Sequence, residues 1–176
     1  MTINTIIGSR PFQAAAAACV LLGLSVPAHA EVVNARFTGK IQAASCSIVN
    51  PVINVPLGTH NTSEFAAPIG SVVSDVPFTL GIRCPTTAVQ VLVTPSSTNI
   101  VDASNGVIGV AGGATGVGIQ LLNKQKMPVK LGVVDDQGKG HALTWDMQYY
   151  ARYYRTEANI GTGDANGSAT FTVTYR

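Results

Sequence analysis

Apolar and polar residues alternate along much of this chain, in short runs. From Glu31 to Ser45 the odd positions hold Val33, Ala35, Phe37, Gly39, Ile41 and Ala43, and the even ones hold Asn34, Arg36, Thr38, Lys40 and Gln42. A period of two puts successive side chains on opposite faces of an extended strand, so this stretch has one dry face and one wet one. From Val76 to Cys84 the dry set is Val76, Phe78, Leu80, Ile82 and Cys84. Shorter sets, Ile53/Val55/Leu57, Val89/Val91/Val93, Val117/Ile119/Leu121 and Val129/Leu131/Val133, also predict strands. The run "LTWDMQYYARYY" sets Leu143, Trp145, Met147, Tyr149, Ala151 and Tyr153 on one face. Its composition would suit a helix too, but the aromatic content and clean alternation favour a long strand. The final run sets Ala169, Phe171, Val173 and Tyr175 against Thr170, Thr172, Thr174 and Arg176.

Turn formers separate these runs, at Asp102 to Gly106, Asp135 to Gly140 and Gly161 to Gly167. Asn, Asp and Gly tolerate the positive φ that tight reversals need. Many short strands punctuated in this way predict an all-β sandwich, with no internal repeat and no second domain. One break in phase stands out. The inward set is odd-numbered up to Ala43, whereas Cys46 and Ile48, if they face the core beside Cys84, are even-numbered. A one-residue slip exchanges the faces of a strand. Either Glu31 to Ser45 serves a different core from the residues after Cys46, or a β-bulge interrupts one continuous strand.

The first thirty residues change the picture. Arg10 precedes an apolar run, Ala14 to Val26, that is too short to span a bilayer comfortably, and Ala28-His29-Ala30 has the small-x-small pattern of a signal-peptidase site. The expected processed chain starts at Glu31 and keeps 176 less 30, or 146, residues, the size of one domain. Its net charge falls from +2 to +1 with the loss of Arg10, which gives no basic stripe for nucleic acid. Cys19 leaves with that segment. Cys46 and Cys84 remain, and two thiols in an exported chain most simply form one disulfide. Closing that loop would contribute roughly 4 kcal/mol in the chain-entropy model. A metal site lacks further ligands at suitable spacing.

Chemistry is thin elsewhere, and no catalytic, metal or cofactor-binding residue is expected. There is no G-x-S-x-G elbow, and His60 and His141, beside Asn61 and Gly140, read as solvated surface histidines. Asp135 and Asp136 read as turn initiators rather than calcium ligands. The Gly-rich stretch "GVIGVAGGATGVGIQ" lacks the Lys and Ser/Thr of a phosphate-binding loop and reads as a flexible loop leading into the Val117 strand.

The signal segment, the alternating N-terminal stretch with Gly39, the Cys46 and Cys84 pair, "GVGIQLLN" at Gly116 to Asn123, "YARYYRT" at Tyr150 to Thr156 and the terminal "ATFTVTYR" together resemble the pilin subunits of chaperone-usher fimbriae, such as type 1 and P pili. Tyr175 matches that family's penultimate aromatic residue, and Gly163 its upstream glycine. The resemblance covers essentially the whole processed chain. It implies an immunoglobulin-like sandwich lacking its last strand, completed by a donor strand from a neighbouring subunit. It implies residues 1–30 as signal peptide, 31–45 as donor extension and 46–176 as pilin domain. It implies Gly163, Ala169, Phe171, Val173, Tyr175 and the carboxylate of Arg176 as the motif that a periplasmic chaperone recognises, with transfer to an outer-membrane usher and final placement in an extracellular fimbrium that supports adhesion. By this resemblance the dry face of Val33, Ala35, Phe37, Gly39, Ile41 and Ala43 enters a neighbour's core. On periodicity alone the same stretch fits the first edge strand of a complete sandwich. The rival function is a secreted carbohydrate-binding β-sandwich that stacks sugars on Trp145, Tyr149, Tyr150, Tyr153 or Tyr154.

Overall fold

The computed structural model describes Arg36, Thr38 and residues 46–85, 89–139 and 143–176. Contacts divide the chain into two units, Met1–Lys40 and Ile41–Arg176, and every strand described belongs to the second. The expected donor residues Val33, Ala35, Phe37, Gly39, Ile41 and Ala43 lie outside the described residues, as do the expected signal segment and His141.

Among the described residues nine strands run in chain order: β1 (Ser47–Ile48), β2 (Val72–Arg83), β3 (Gln90–Ser96), β4 (Ile100–Asp102), β5 (Val107–Gly109), β6 (Val117–Leu122), β7 (Asp135–Lys139), β8 (Thr144–Arg155) and β9 (Thr170–Tyr175). They form a six-stranded sheet, β1-β2-β8-β6-β5-β4, and a three-stranded sheet, β7-β3-β9. Every neighbouring pair is antiparallel. Sheets with one dry face each are stable when those faces bury one another, which gives the sandwich.

The long strands β2 and β8 pair with Phe78 opposite Tyr149 and Ile82 opposite Trp145. Ile82, Met147, Tyr149 and Ala151 are buried together with Val91 and Val93 of β3. Rings from three strands join the two sheets: Phe78, Tyr149 and Phe171 have centroids 5.1 to 5.8 Å apart. Cys46 and Cys84 form a buried disulfide with Cα atoms 4.1 Å apart, which fixes β1 to the end of β2. Ile48 pairs with Ile82 and so shares its face, as the even-numbered phase requires, yet Ile48 is 46% exposed.

The segment Ile53/Val55/Leu57 is not a strand. Pro51 and Pro56 supply no N–H to a ladder, and the chain runs past β2 without pairing. Val129 and Leu131 are buried as their alternation predicts, but the chain turns at Gly132 (φ +77°), leaving Val133 exposed and no strand formed. The expected turn at Asp135 to Gly140 is largely β7, an edge strand of polar residues paired to β3. Its Asp136 accepts a hydrogen bond from the Gln90 side chain at 2.6 Å. The Gly-rich stretch expected to be a loop contains β5, whose Val107 and Ile108 are buried. His60 is half-buried and bonded through both ring nitrogens, not a solvated surface residue.

Candidate functional site

A groove of about 1030 Å³ opens along one edge of the sandwich, with an apolar floor and walls that mix polar and apolar residues. One wall is the chain from Ile48 to Gly58, and the other is residues 165–171 with Val173. Its floor is core: Phe78, Leu80 and Ile82 of β2, Ile119 and Leu121 of β6, and Ala151 and Tyr153 of β8.

Local chemistry explains why the edge opens. β1 engages β2 only at Arg83 and Ile82, and Val49 N–H then donates to Gly81 O at 2.8 Å. Beyond that point Pro51 and Pro56 bar regular pairing, and Val52 is left 79% exposed. On the facing side, β9 pairs with β3 along one edge. Among the described residues no strand pairs with its other edge. A row of unpaired backbone groups beside an apolar trough is a template for an added strand.

Two contacts close the ends. The Tyr175 hydroxyl donates to Cys46 O at 2.8 Å, joining the end of β9 to the disulfide. At the other end Tyr153 donates its hydroxyl to Ala165 O at 3.4 Å, while the His60 ring meets the Tyr153 ring edge-on with centroids 5.8 Å apart. Burial raises the Tyr153 phenol above its ordinary pKa.

The sequence-predicted residues separate into three groups. Ala169, Phe171 and Val173 line the groove, and Tyr175 ends it. Arg176 exchanges backbone hydrogen bonds with Gln90, donating at 3.1 Å and accepting at 2.8 Å. Gly163 stands apart, in a seam where residues 161–166 meet residues 111–115 through bridges such as Gly113 with Asp164 and Thr115 with Gly161. Sequence reasoning missed the wall from Asn50 to Gly58 and the floor residue Ile108. The two prolines five positions apart were the available signal for that wall.

The aromatic residues proposed for sugar stacking are divided between the faces of the large sheet. Tyr149 is buried and Tyr153 faces the groove, whereas the Tyr150 ring carries the Lys126 ammonium 5.1 Å from its centroid. Among the described residues no group of three or more His, Cys, Asp or Glu could hold a metal ion.

The chain is thus an immunoglobulin-like β-sandwich with an apolar-floored groove along one edge. A family profile described as "Fimbrial protein" matches residues 35–176. The major fimbrial subunit SMF-1 of Stenotrophomonas maltophilia is 32% identical over 162 residues, covering 79% of this chain and 89% of its own. The fimbrial subunit type 1 of Salmonella typhimurium is 30% identical, covering 98% and 97%. Among solved structures, a chaperone-usher pilus subunit superposes with a TM-score of 0.62 at 20% identity, covering 86% of this chain and 99% of that one. The P pilus rod subunit PapA gives 0.57 at 21% identity, covering 81% and 99%. The chain belongs to the fimbrial protein family.

Proposed function

We propose that this protein is a non-enzymatic structural subunit of a fimbria, polymerised by strand exchange. Its groove accepts an extended strand from one neighbour, and its own residues 31–45 fill the groove of the next. Residues 1–30 act as the signal peptide, and 46–176 form the pilin domain. A periplasmic chaperone first covers the groove, recognising β9 through Ala169, Phe171, Val173 and Tyr175, with Gly163 and the Arg176 carboxylate completing the motif. An outer-membrane usher then exchanges the chaperone for the next subunit's extension, and the polymer stands outside the cell.

The observation that carries this reading is the groove itself, which has an apolar floor and an edge strand with one side unpaired among the described residues. Left uncovered, such a surface invites aggregation. The alternating stretch Glu31 to Ser45 has the apolar face to fill it. Burying Val33, Phe37 and Ile41 at about 1.5 to 3 kcal/mol each gives on the order of 5 to 9 kcal/mol, before the backbone ladder is counted.

The test is thermal unfolding of the full exported chain, alone and with a second copy of Glu31 to Ser45 appended after Arg176 through a flexible linker. A large rise in midpoint supports a groove that accepts this strand. An unappended chain that already unfolds cooperatively at high temperature, with no rise on fusion, overturns the reading.

A further inference from the structure

We infer that His60, acting as the imidazolium, is a positioning residue for strand capture, fastening the wall and floor of the groove at its Leu57 end. The inference rests on the reading of the groove as a strand acceptor.

The geometry requires the charged ring. His60 Nδ1 lies 2.8 Å from Glu64 Oε2, and Nε2 lies 2.9 Å from Leu57 O. A carboxylate and a backbone carbonyl only accept, so both ring nitrogens must donate. Neutral imidazole has one N–H and must surrender one of the two bonds. Leu57 O also accepts from the Ser74 hydroxyl at 3.3 Å, which ties the wall to the irregular stretch of β2. The ring meets Tyr153 in a T-shaped contact, and Tyr153 reaches the opposite wall at Ala165. Leu57, Tyr153 and Ala165 all line the groove. One ring therefore organises both sides of the groove end.

The charged neighbours narrow the cause to one pair. Glu64, on the short 3-10 turn Thr62–Glu64, bonds the ring directly, and its other oxygen accepts the Asn61 backbone N–H at 2.7 Å. From β8 the titratable neighbour is the Tyr153 phenol. Asp75, beside Ser74 on β2, pairs with Lys126 and Arg152 instead. Arg155 is spent on the carbonyls of Ala66, Glu157 and Ala158.

The hydrogen bond to Glu64, and then that to Leu57 O, raises the His60 pKa above 6.5. The bond from Asn61 N–H, and then that from His60, lowers the Glu64 pKa below 4.5. A raised histidine stabilises fully below its unfolded pKa and loses that contribution as pH rises through the folded value. A depressed carboxylate stabilises above its unfolded pKa and loses the contribution as pH falls through the folded value. The clamp is complete between these unfolded values, at about pH 5.5.

The experiment compares the full chain, with and without the appended Glu31 to Ser45 copy, as wild type, His60→Gln and Glu64→Gln from pH 5.5 to 8.5. The expected result is a midpoint several degrees above that of His60→Gln at pH 5.5, a gap that closes by pH 8.5 and shrinks in Glu64→Gln. A synthetic Glu31 to Ser45 peptide should leave the unappended wild type several-fold faster at pH 8.5 than at pH 5.5, and leave His60→Gln at one rate. A residue that merely fills space would shift the midpoint equally at every pH. Parallel profiles for wild type and His60→Gln overturn the inference. If fusion raises the midpoint at no pH, the strand-acceptor reading fails, and strand capture by His60 falls with it. The unappended profiles still show separately whether the His60 clamp itself forms.

Discussion

A methyl group on Gly163 would sit 2.4 Å from both Ala114 N and Gly113 C, in backbone at φ +155°. Real side chains do not approach that closely, so the seam between residues 111–116 and 159–167 must open to admit it. Gly163→Ala should destabilise the fold by about 2 kcal/mol, read as a lower urea midpoint at unchanged slope. Phe171→Ala removes one ring of the cluster with Phe78 and Tyr149. Because Phe171 is only half-buried, the expected loss is about 3 kcal/mol, the low end for truncating an aromatic residue. Asp102 illustrates a residue legible from its neighbours alone. Its carboxylate accepts from the Ser104 hydroxyl, the Asn105 amide and the backbone, which holds its pKa at about 2. A depressed carboxylate stabilises above its unfolded pKa of 3.8, and the contribution is lost as pH falls through about 2. Asp102→Asn should therefore flatten the loss of stability between about pH 4 and pH 2, measured by denaturation across that range.

Elements divide by how their stability arises. β2 from Val76 to Ile82, β8 from Trp145 to Tyr153 and β9 from Phe171 to Tyr175 keep apolar residues at every second position and take their place in the sandwich as the alternation predicts. β7 has no such pattern, since Asp135–Lys139 is a polar edge strand whose place is set by β3. β6 departs in the other direction, being buried on both faces. Its Gln120 accepts the Arg152 Nε–H from β8 at 2.8 Å and donates to Asn105 O at 2.9 Å. β1, of two residues, depends on the disulfide and on Tyr175. Replacing Cys46 and Cys84 together by alanine should cost roughly 4 kcal/mol, checked by denaturant unfolding beside the oxidised parent. Tyr175→Phe should cost about 1 kcal/mol by the same measurement, and the effect should shrink once the disulfide is removed.

At the scale of the molecule the groove and the N-terminal stretch are judged together. With Glu31 to Ser45 appended after Arg176, Gly39→Leu in the appended copy should abolish most of the rise in midpoint, because under the proposed strand exchange a leucine there adds bulk to the face that enters the groove. An undiminished rise would remove Gly39 from the joint. The sequence by itself determined which side chains seek burial: a period of two is local, and it placed Phe78, Ile82, Met147, Tyr149, Phe171 and Val173 on inward faces before any contact was known. It determined the cysteine pair as well, since Cys46 and Cys84 are the thiols left beyond the first thirty residues. Pairing is a long-range matter. That β9 lies beside β3, that Asn50 to Gly58 leaves the edge of β2, and that His60 comes to rest on Tyr153 depend on residues up to 93 positions apart meeting in space. Alternation records a preference for burial but not the partner that satisfies it, so the groove emerged only once the two sheets had been placed face to face.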